Sequence, residues 1–489
     1  MYICGVTPYD FSHIGHARVY VAFDVLHRYL KFLGYEVNYV RNFTDIDDKI
    51  IKRANEMGEA PLILSRRFSE EFLHDIAELN CLPPTHEPRV SDHMEQIKDL
   101  ITKILDNGHA YIIEGDVYFS VDTFLMIIIV YLGKPDDNRA GGGGRVTVDT
   151  RKRNPADFAL WKSAKPGEPS WESPWGPGRP GWHIECSAMS AHYLSHCFDI
   201  HGGGKDLIFP HHENEIAQSR AACPQSNVKY WMHNGFVNRD NQKMSKSDNN
   251  FLLSVIFFLM RTHYRSDVNY SDKALDTASD RVFYIYQTLH DCEIALSPFR
   301  NESFKGVLPV DVKEQIDKFH TEYLSSMSDD LHTTTVLDDL VDLLKLINGT
   351  LKKFKVTFFL SYMELLSSDF GGKKQQVLIL SLLALEKEVK EVLLTLGLSS
   401  SYNVSEVLQQ LKDKALKRAG YTEEEEVLLT LGLSSSYNVS EVLQQLKDKA
   451  LKRAGYTEEE VGRKIEERNM ARKSKRSTRN QTKLGRSFI

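Results

Sequence analysis

Two short segments of the sequence carry groups that could bind phosphate. The first is His13-Ile14-Gly15-His16, which follows Ser12, a good N-cap, so we expect it to form the first turn of a helix. Backbone N–H groups and the positive end of the helix dipole attract phosphate there, and two imidazoles add donors. Gly15 leaves room for a base or ribose to approach the backbone. The alternative is that the two histidines only cap the helix.

The second segment, residues 238–250, is almost wholly polar and is predicted to be a surface loop. Lys243 and Lys246 lie in it among small, flexible residues. Because lysine is a mobile point charge, both side chains could neutralise pyrophosphate as it leaves. A charged loop of this composition could also be merely solvated.

A third group of residues has the chemistry of a metal site. Pro210 at a helix start places His211 and Glu215 at i and i+4 on one helical face, which gives two ligands. Cysteine is the other common zinc ligand, but the six cysteines are scattered and spacing alone brings none of them to this face. Such a cysteine content favours a reducing compartment over a disulfide framework.

The surrounding pattern predicts the elements that position these groups. A short strand at residues 1–3, a loop at 4–10, a helix ending before Gly34 and a strand through Tyr35, Val37 and Tyr39 form a β-loop-α-β unit of nucleotide-binding type. Further on, the chain becomes helical and amphipathic from about residue 272 to 360. We therefore expect an α/β domain followed by an α-helical region.

Composition limits the function classes. With 489 residues, 42% hydrophobic and 26% charged, the chain is typical of a soluble globular protein, and its longest apolar run, residues 124–132, is about half of a membrane span. We expect no membrane partner and a cytoplasmic location, or an organelle if an upstream transit segment is missing. The net charge of −6 argues against a chain-wide nucleic-acid surface, yet residues 461–489 hold ten Lys and Arg against two Glu. This basic tail suits phosphate contacts, or is a solvated end.

The sequence also contains a verbatim repeat. Residues 391–425 recur without a change as residues 426–460. Solenoid repeats diverge and need about three or more copies, so two identical copies indicate a recent duplication or an error in an inferred coding sequence. Each copy is predicted to form a helix pair.

The two phosphate-binding segments together resemble the paired signatures of class I aminoacyl-tRNA synthetases, H-I-G-H and Lys243-Met244-Ser245-Lys246-Ser247. Four further segments resemble the cysteinyl-tRNA synthetase family: residues 1–10, 40–49, 180–187 and 209–215. The likeness extends with gaps to about residue 470. It implies a Rossmann-like α/β catalytic domain with a connective insertion, followed by an α-helical tRNA-binding region.

The resemblance also implies a zinc centre that selects the substrate. One Zn²⁺ would be held by Cys4, Cys186, His211 and Glu215 and would take the thiolate of L-cysteine. His212 is the rival to its neighbour as ligand. Two more residues would contact the amino acid, Trp182 as a pocket wall and Thr44 nearby. The other cysteines, expected to be buried spectators, are Cys81, Cys197, Cys223 and Cys292.

The implied reaction has two steps. The carboxylate of cysteine attacks the α-phosphate of ATP, which carries Mg²⁺, and cysteinyl-adenylate then transfers its acyl group to tRNA(Cys). His13 and His16 would hold the phosphates, and Lys243 and Lys246 would stabilise the leaving pyrophosphate. ATP would also be contacted by Gly15 and by a turn at His201-Gly202-Gly203-Gly204. Alternatives are a cysteine-activating ligase for a small amine acceptor and an inactive tRNA-binding paralogue.

The resemblance sets four expected regions, and two of the four departures from the family concern the first strand and the lysine loop. The regions are a catalytic domain at 1–250 with its insertion at about 85–150, a stem-contact-like region at 251–300, a helical bundle at 301–375, and an anticodon-binding-like region at 376–489. The short segment that usually precedes the first strand is expected to be missing. After Phe251 roughly a dozen residues of a helix that braces the lysine loop are expected to be deleted.

Overall fold

A computed structural model describes residues 1–123, 149–239, 252–300, 306–362, 368–399 and 403–419. The chain divides into two compact units, Met1–Leu408 and Gln409–Ile489. The second unit is described only at residues 409–419, which are helical. The sites below all lie in the first unit.

A four-stranded parallel sheet forms the centre of the first unit. Its strands, in the spatial order β2-β1-β7-β8, are β1 (Tyr2–Val6), β2 (Val40–Phe43), β7 (Cys197–Gly204) and β8 (Asn227–Asn234). All three pairings are parallel. Residues of β1 and β2, the first two strands in the sequence, are buried apart from Gly5, as expected for a parallel sheet whose faces are covered. In such sheets ligands bind beyond the carboxyl ends of the strands.

Helix α1 (Ile14–Phe32) connects β1 to β2, so the predicted β-α-β unit is present. Two boundaries were wrong. Strand β1 continues to Val6, which puts Cys4 in the strand rather than in the following loop. The second strand begins at Val40, after the predicted stretch, in which Tyr35 is 63% exposed and only Tyr39 is buried.

A second, antiparallel sheet leads the chain into the site. Its strands, in the order β3-β4-β5-β6, are β3 (Ala110–Ile113), β4 (Asp116–Phe119), β5 (Phe158–Ser163) and β6 (Gly178–Pro180). The fully buried Trp161 packs in the same core as the helices α4 (Met94–Asp106) and α5 (Trp182–Leu194). Because β6 ends at Pro180, this sheet fixes where α5 begins.

Four helices and one short parallel strand pair complete the described part of the catalytic half. The helices after β2 are α2 (Asp48–Met57) and α3 (Pro61–Glu78), and α6 (Glu213–Ala222) precedes β8. Strands β9 (Val237–Arg239) and β10 (Val268–Tyr270) pair in parallel, and α7 (Leu252–Met260) lies between them in sequence. A nine-residue helix, buried from Leu253 to Met260, follows Phe251 directly, and the expected deletion at this point stays a prediction.

The remaining described chain is helical, as the amphipathic pattern predicts. The helices are α8 (Asp272–Leu296), α9 (Val310–Ser328), α10 (Thr333–Tyr362), α11 (Ser368–Thr395) and α12 (Val404–Ala419). On α10 the predicted apolar face is buried at Leu337, Leu340, Leu344 and Ile347. The first repeat copy supplies the end of α11 and all of α12, whereas the second copy, the basic tail and the apolar run at 124–132 lie outside the described residues.

Two further expectations from the sequence concern membrane-spanning helices and the boundaries of the four regions. Within the described ranges, no helix is long and apolar enough to span a bilayer. The boundaries of the four regions stay predictions.

Candidate active site and metal centre

Four side chains predicted to bind zinc converge at one buried point. The ligand atoms of Cys4, Cys186, His211 and Glu215 lie within 4.8 Å of one another. Cys4 Sγ is 3.8 Å from Cys186 Sγ, 3.6 Å from His211 Nε2 and 3.8 Å from Glu215 Oε1. None of the four is more than 5% exposed.

The spacing of these atoms fits a tetrahedral ion. Zinc bonds of about 2.3 Å to sulfur and about 2.0–2.2 Å to nitrogen and oxygen place tetrahedral ligand atoms about 3.4–3.8 Å apart. The measured separations of 3.0–3.8 Å are close to that range. Two thiols, one imidazole and one carboxylate also match the ligand preferences of zinc.

Each ligand is positioned by a different element. Cys4 lies in the middle of β1, and Cys186 lies in the second turn of α5. The chain is extended at Phe209 and then becomes helical, so Pro210 precedes the turn that carries His211, and Glu215 follows in α6. His211 Nε2 lies 3.0 Å from Glu215 Oε1, which confirms the predicted i and i+4 geometry.

Burial and mutual contact shift the pKa values of these groups. Burial alone would lower the pKa of His211, but the Glu215 carboxylate and Cys186 raise it to about 10. Burial would raise the pKa of Glu215, but His201 and His211 hold it well below its usual range. The hydrogen bond with Cys4 lowers the pKa of Cys186 to about 6, while burial raises the pKa of Cys4. The mutual contacts therefore favour the charged forms of His211, Glu215 and Cys186 and the neutral form of Cys4.

His212 is close to the same point, but its other ring nitrogen contacts His233. Its Nε2 lies 3.4 Å from Cys4 Sγ and 4.0 Å from Glu215 Oε1, and its Nδ1 is 2.7 Å from His233 Nε2. Together with His201 it forms a second possible group with Cys4 and Glu215. That group contains one sulfur instead of two, so the set with Cys186 and His211 suits zinc better.

A shell of side chains holds the ligands in place, and the sequence predicted few of them. His183 Nδ1 lies 2.9 Å from His211 Nδ1, and His201 Nε2 lies 2.9 Å from Glu215 Oε2. Burial lowers the pKa of His183 well below its usual range, so it is neutral and can fix the tautomer of His211. The only hint of this shell in the sequence was that histidines lie close to predicted ligands, His183 three residues before Cys186 and His212 directly after His211.

The two residues predicted to contact the amino acid lie at this centre. Trp182, the first residue of α5, is 39% exposed and stacks on His211 with ring centroids 4.4 Å apart. Thr44 follows β2, is buried, and lies 3.4 Å from Asn42 Nδ2 through its hydroxyl. Asn42 Oδ1 is in turn 3.8 Å from Cys186 Sγ, a contact that no sequence pattern indicated.

The first phosphate-binding segment begins α1, with one correction. His13, not Ser12, is the N-cap, because its Nδ1 accepts from the backbone N–H of Gly15 at 3.1 Å. The rings of His13 and His16 stack 3.9 Å apart, and burial lowers the pKa of His16 to about 4. A Cβ on Gly15 would lie 2.8 Å from the His13 ring, so the glycine makes this cap possible.

The predicted turn at residues 201–204 is wrong, since all four residues belong to β7. His201 pairs with Tyr2 of β1 and Trp231 of β8, and its side chain contacts Glu215. A Cβ on Gly202 would overlap the ring of Phe23. The missing side chain of Gly202 thus lets Phe23 of α1 pack directly on β7. The roles of His201, Gly202 and Gly203 toward ATP stay predictions.

Two other expectations concern the lysine loop and the four cysteines outside the predicted metal site. Lys243 and Lys246 lie outside the described residues, between β9 and α7. Of the cysteines expected to be buried spectators, only Cys292 is buried, while Cys81 and Cys223 are partly exposed and Cys197 is exposed.

Comparison with known proteins assigns the family. Residues 1–280 match the class I (C) tRNA synthetase catalytic domain. The chain is 58% identical over 436 residues to the chloroplastic/mitochondrial cysteine–tRNA ligase of Zea mays, covering 87% of this chain and 74% of that protein. It is 53% identical to the cytoplasmic cysteine–tRNA ligase 2 of Arabidopsis thaliana, covering 72% of each. A further relative is the cysteine–tRNA ligase of Trichlorobacter lovleyi, 49% identical over 72% of this chain and 74% of that one.

Solved structures agree on the fold. Mycobacterium tuberculosis methionyl-tRNA synthetase in complex with methionyl-adenylate superposes with a TM-score of 0.60 at 16% identity, covering 83% of this chain and 92% of that one. The predicted fold class, an α/β catalytic domain followed by an α-helical region, is confirmed. The chain therefore belongs to the cysteine–tRNA ligase family of class I aminoacyl-tRNA synthetases.

Proposed function

We propose that this protein ligates L-cysteine to tRNA(Cys) through a cysteinyl-adenylate, at the expense of ATP, and that Cys4, Cys186, His211 and Glu215 hold one zinc ion. The observation that carries the proposal is the convergence of these four buried side chains within 4.8 Å. Thiolate, imidazole and carboxylate are the ligand types that zinc binds in proteins. The family membership supports the reaction.

The residues around the four ligands account for the selection of cysteine. When bound, zinc would accept the substrate thiolate, a far better ligand than the hydroxyl of serine, so no hydrolytic editing is needed. Trp182, stacked on His211 and partly exposed, is placed to wall the pocket. His183 and His201 each hold the far atom of a ligand, His211 Nδ1 and Glu215 Oε2, and so keep the ligand atoms aimed at one point.

Adenylation would take place at the start of α1. A carboxylate oxygen of cysteine attacks the α-phosphorus of ATP, a new O–P bond forms, and pyrophosphate leaves with its Mg²⁺. His13 and the neutral His16 offer donors to the phosphates at the positive end of the helix. Lys243 and Lys246 neutralise the leaving group.

The proposal also names tRNA as the acceptor of the cysteinyl group and a reducing compartment as the location. The helices after residue 272 and the basic residues of 461–489 suit tRNA. Free thiol ligands need a reducing compartment. The cytoplasm is the expected one and an organelle the alternative, since the relatives include proteins of both kinds. Fractionation of cells that carry the tagged chain distinguishes them.

Cysteine-dependent ATP–pyrophosphate exchange tests the proposal, with serine as the control substrate and zinc measured on the same sample. We expect about one zinc per chain, exchange with cysteine, and charging of tRNA(Cys). A folded, zinc-loaded protein without exchange would contradict the proposal. Exchange without charging of any tRNA would replace tRNA with a small amine acceptor.

A further inference from the structure

Arg18 lies on α1, three residues after Gly15, and its side chain contacts residues 259–266, which are distant in sequence. It is 2% exposed. Its guanidinium donates to the carbonyl oxygens of His263 at 2.7 Å, Ser266 at 3.1 Å and Thr262 at 3.3 Å, and also to that of Leu259. One side chain thus binds four backbone carbonyls about 240 positions further along the chain.

These bonds suit arginine and no other side chain. Burial lowers the pKa of Arg18 to about 10, so it keeps its charge at neutral pH. Leu259 lies in the last turn of α7, where carbonyls lack helical partners and the helix dipole favours a cation. The planar fork of a guanidinium reaches several acceptors at once, whereas a lysine ammonium is a single point.

The segment that Arg18 binds also holds the upstream flank of residues 240–251. The N–H of Gly235 donates to Tyr264 O at 2.8 Å, and the N–H of Phe236 donates to Asp267 Oδ1 at 2.8 Å. Strand β9 then pairs with β10. A Cβ on Gly235 would overlap the carbonyl of Ser266, so the two strands meet at a close backbone contact.

The downstream flank is fixed at the same place. Helix α7 starts at Leu252 and ends at Met260, directly before the carbonyls of Thr262 and His263. Both described flanks of 240–251 therefore meet at residues 259–268. Among the described side chains, Arg18 is the one that joins this meeting point to α1 by several hydrogen bonds.

We infer that Arg18 is a positioning residue for adenylation, which holds the flanks of the lysine segment in register with His13, Gly15 and His16. The inference rests on the proposed function and adds a residue to it. Arg18 has no hydrogen bond with the four candidate metal ligands, so its role is separate from the binding of cysteine or zinc.

Arg28 provides a matched control on the same helix. It is also buried, pairs with Asp24 at 2.6 Å, and donates to the carbonyls of Leu394 at 3.2 Å and Asn80. It thus makes the same kind of bonds as Arg18, but to the end of α11 and to Asn80, which follows α3, instead of the flanks of the lysine segment. Loss of Arg28 removes buried hydrogen bonds of this kind without touching that segment.

The experiment compares Arg18→Gln, Arg18→Lys and Arg28→Gln with the wild-type protein. For each, zinc per chain, the thermal midpoint, and the kcat and KM values of cysteine-dependent ATP–pyrophosphate exchange are measured. We expect Arg18→Gln to lower kcat about 10²-fold, the effect of a small misplacement of a catalytic group, with zinc content and the KM for cysteine unchanged. Arg18→Lys should recover part of the loss, and Arg28→Gln should lower the thermal midpoint but keep kcat within about twofold.

Four results would overturn the assignment or its basis. A wild-type kcat for zinc-loaded Arg18→Gln makes Arg18 purely structural. An equal loss of kcat in Arg28→Gln shows that any weakening of α1 has the same effect. If Arg18→Gln does not fold, the kcat of Arg18→Lys is the deciding measurement. A kcat equal to that of the wild type in Arg18→Lys would then contradict the inference. A wild-type protein without exchange refutes the proposed function itself, which the variants cannot do.

Discussion

Nε2 of His211 lies 3.0 Å from Oε1 of Glu215, one helical turn further on. This contact brings an imidazole and a carboxylate to the two buried thiols of Cys4 and Cys186. Its consequences can be tested one side chain at a time.

The adjacent histidines 211 and 212 should differ in their effect on zinc. His211→Gln removes a ligand atom from the set with two sulfurs, so we expect zinc affinity to fall more than about tenfold. His212→Gln removes a ring that contacts His233, and we expect about one zinc per chain to remain. Metal analysis after dialysis against a weak chelator gives the comparison. Zinc loss in His212→Gln alone would assign the metal to the other group of residues.

The contribution of His211 to the stability of the metal-free protein should fall as the pH rises above neutrality, whereas the lowered pKa of Cys186 acts in the opposite direction. The raised pKa of His211, about 10, means that its stabilising contribution is full below its unfolded pKa of about 6.5 and is lost as the pH rises toward 10. The lowered pKa of Glu215 acts in the other direction, since its contribution is present above about 4.3 and is lost in acid. Thermal midpoints of the chelator-treated wild type and His211→Gln between pH 6 and 9.5 test this. We expect the thermal midpoint of the wild type to fall relative to that of His211→Gln as the pH rises, and parallel curves would contradict the assignment.

Gly15→Ala should impair ATP use without unfolding the protein. The new Cβ would lie 2.8 Å from the His13 ring and displace it from the N–H of Gly15. Loss of the cap costs about 1 kcal/mol, and alanine returns a comparable amount by helix propensity. The matched control is Gly349→Ala in α10, where a Cβ meets open space. We expect the KM for ATP to rise only in Gly15→Ala, and equal values in both variants would refute the role of the cap.

Lys246→Ala should slow adenylation by about 10²–10³-fold, the loss usual for one group that stabilises transition-state charge. Zinc content should not change, because no candidate ligand lies on that segment. Lys229→Ala serves as the control, since Lys229 forms only an exposed ion pair with Asp199. Single-turnover formation of cysteinyl-adenylate is the measurement. A variant that loses its zinc would show that the lysine segment and the metal centre depend on each other.

Deletion of one repeat copy should leave the catalytic unit intact. Because the copies are identical, removal of either gives the same chain, which keeps the contacts of Asn80 with Gly397 and Ser399 and of Tyr286 with Leu398. We expect the thermal midpoint to change by less than about 1 °C and exchange to be retained. Tyr286→Phe, which removes the bond to Leu398, should lower the midpoint by about 1–2 °C. A larger loss in the deletion variant would show that the second copy supports the fold.

Local rules predicted the local part of the site. The i and i+4 spacing was enough for His211 and Glu215, and the helix pattern was enough for α1. No local rule could bring Cys4 and Cys186 together, since they are 182 residues apart and meet only when β1 and α5 pack. That convergence was predicted from the family resemblance alone.

The errors have physical causes as well. Ser12 was a better N-cap by propensity, but the imidazole of His13 takes the role because Gly15 lets it lie against the helix. Three glycines in a row indicate a turn, yet residues 202–204 lie in a strand, where the missing Cβ atoms admit Phe23 and Leu207. In both cases tertiary contact outweighed the local preference.

The position of β1 in the sheet has a consequence for biosynthesis. This strand lies between β2 and β7, and its Cys4 needs Cys186, His211 and Glu215. At translation rates of about 5–20 residues per second, these partners leave the ribosome about 10–40 s after the strand. During that interval an apolar strand with a free thiol has no sheet neighbour on the β7 side. The cluster of Cys4, Cys186, His211 and Glu215 is therefore a late product of folding, and zinc bound there would report that β1 has met α5 and α6.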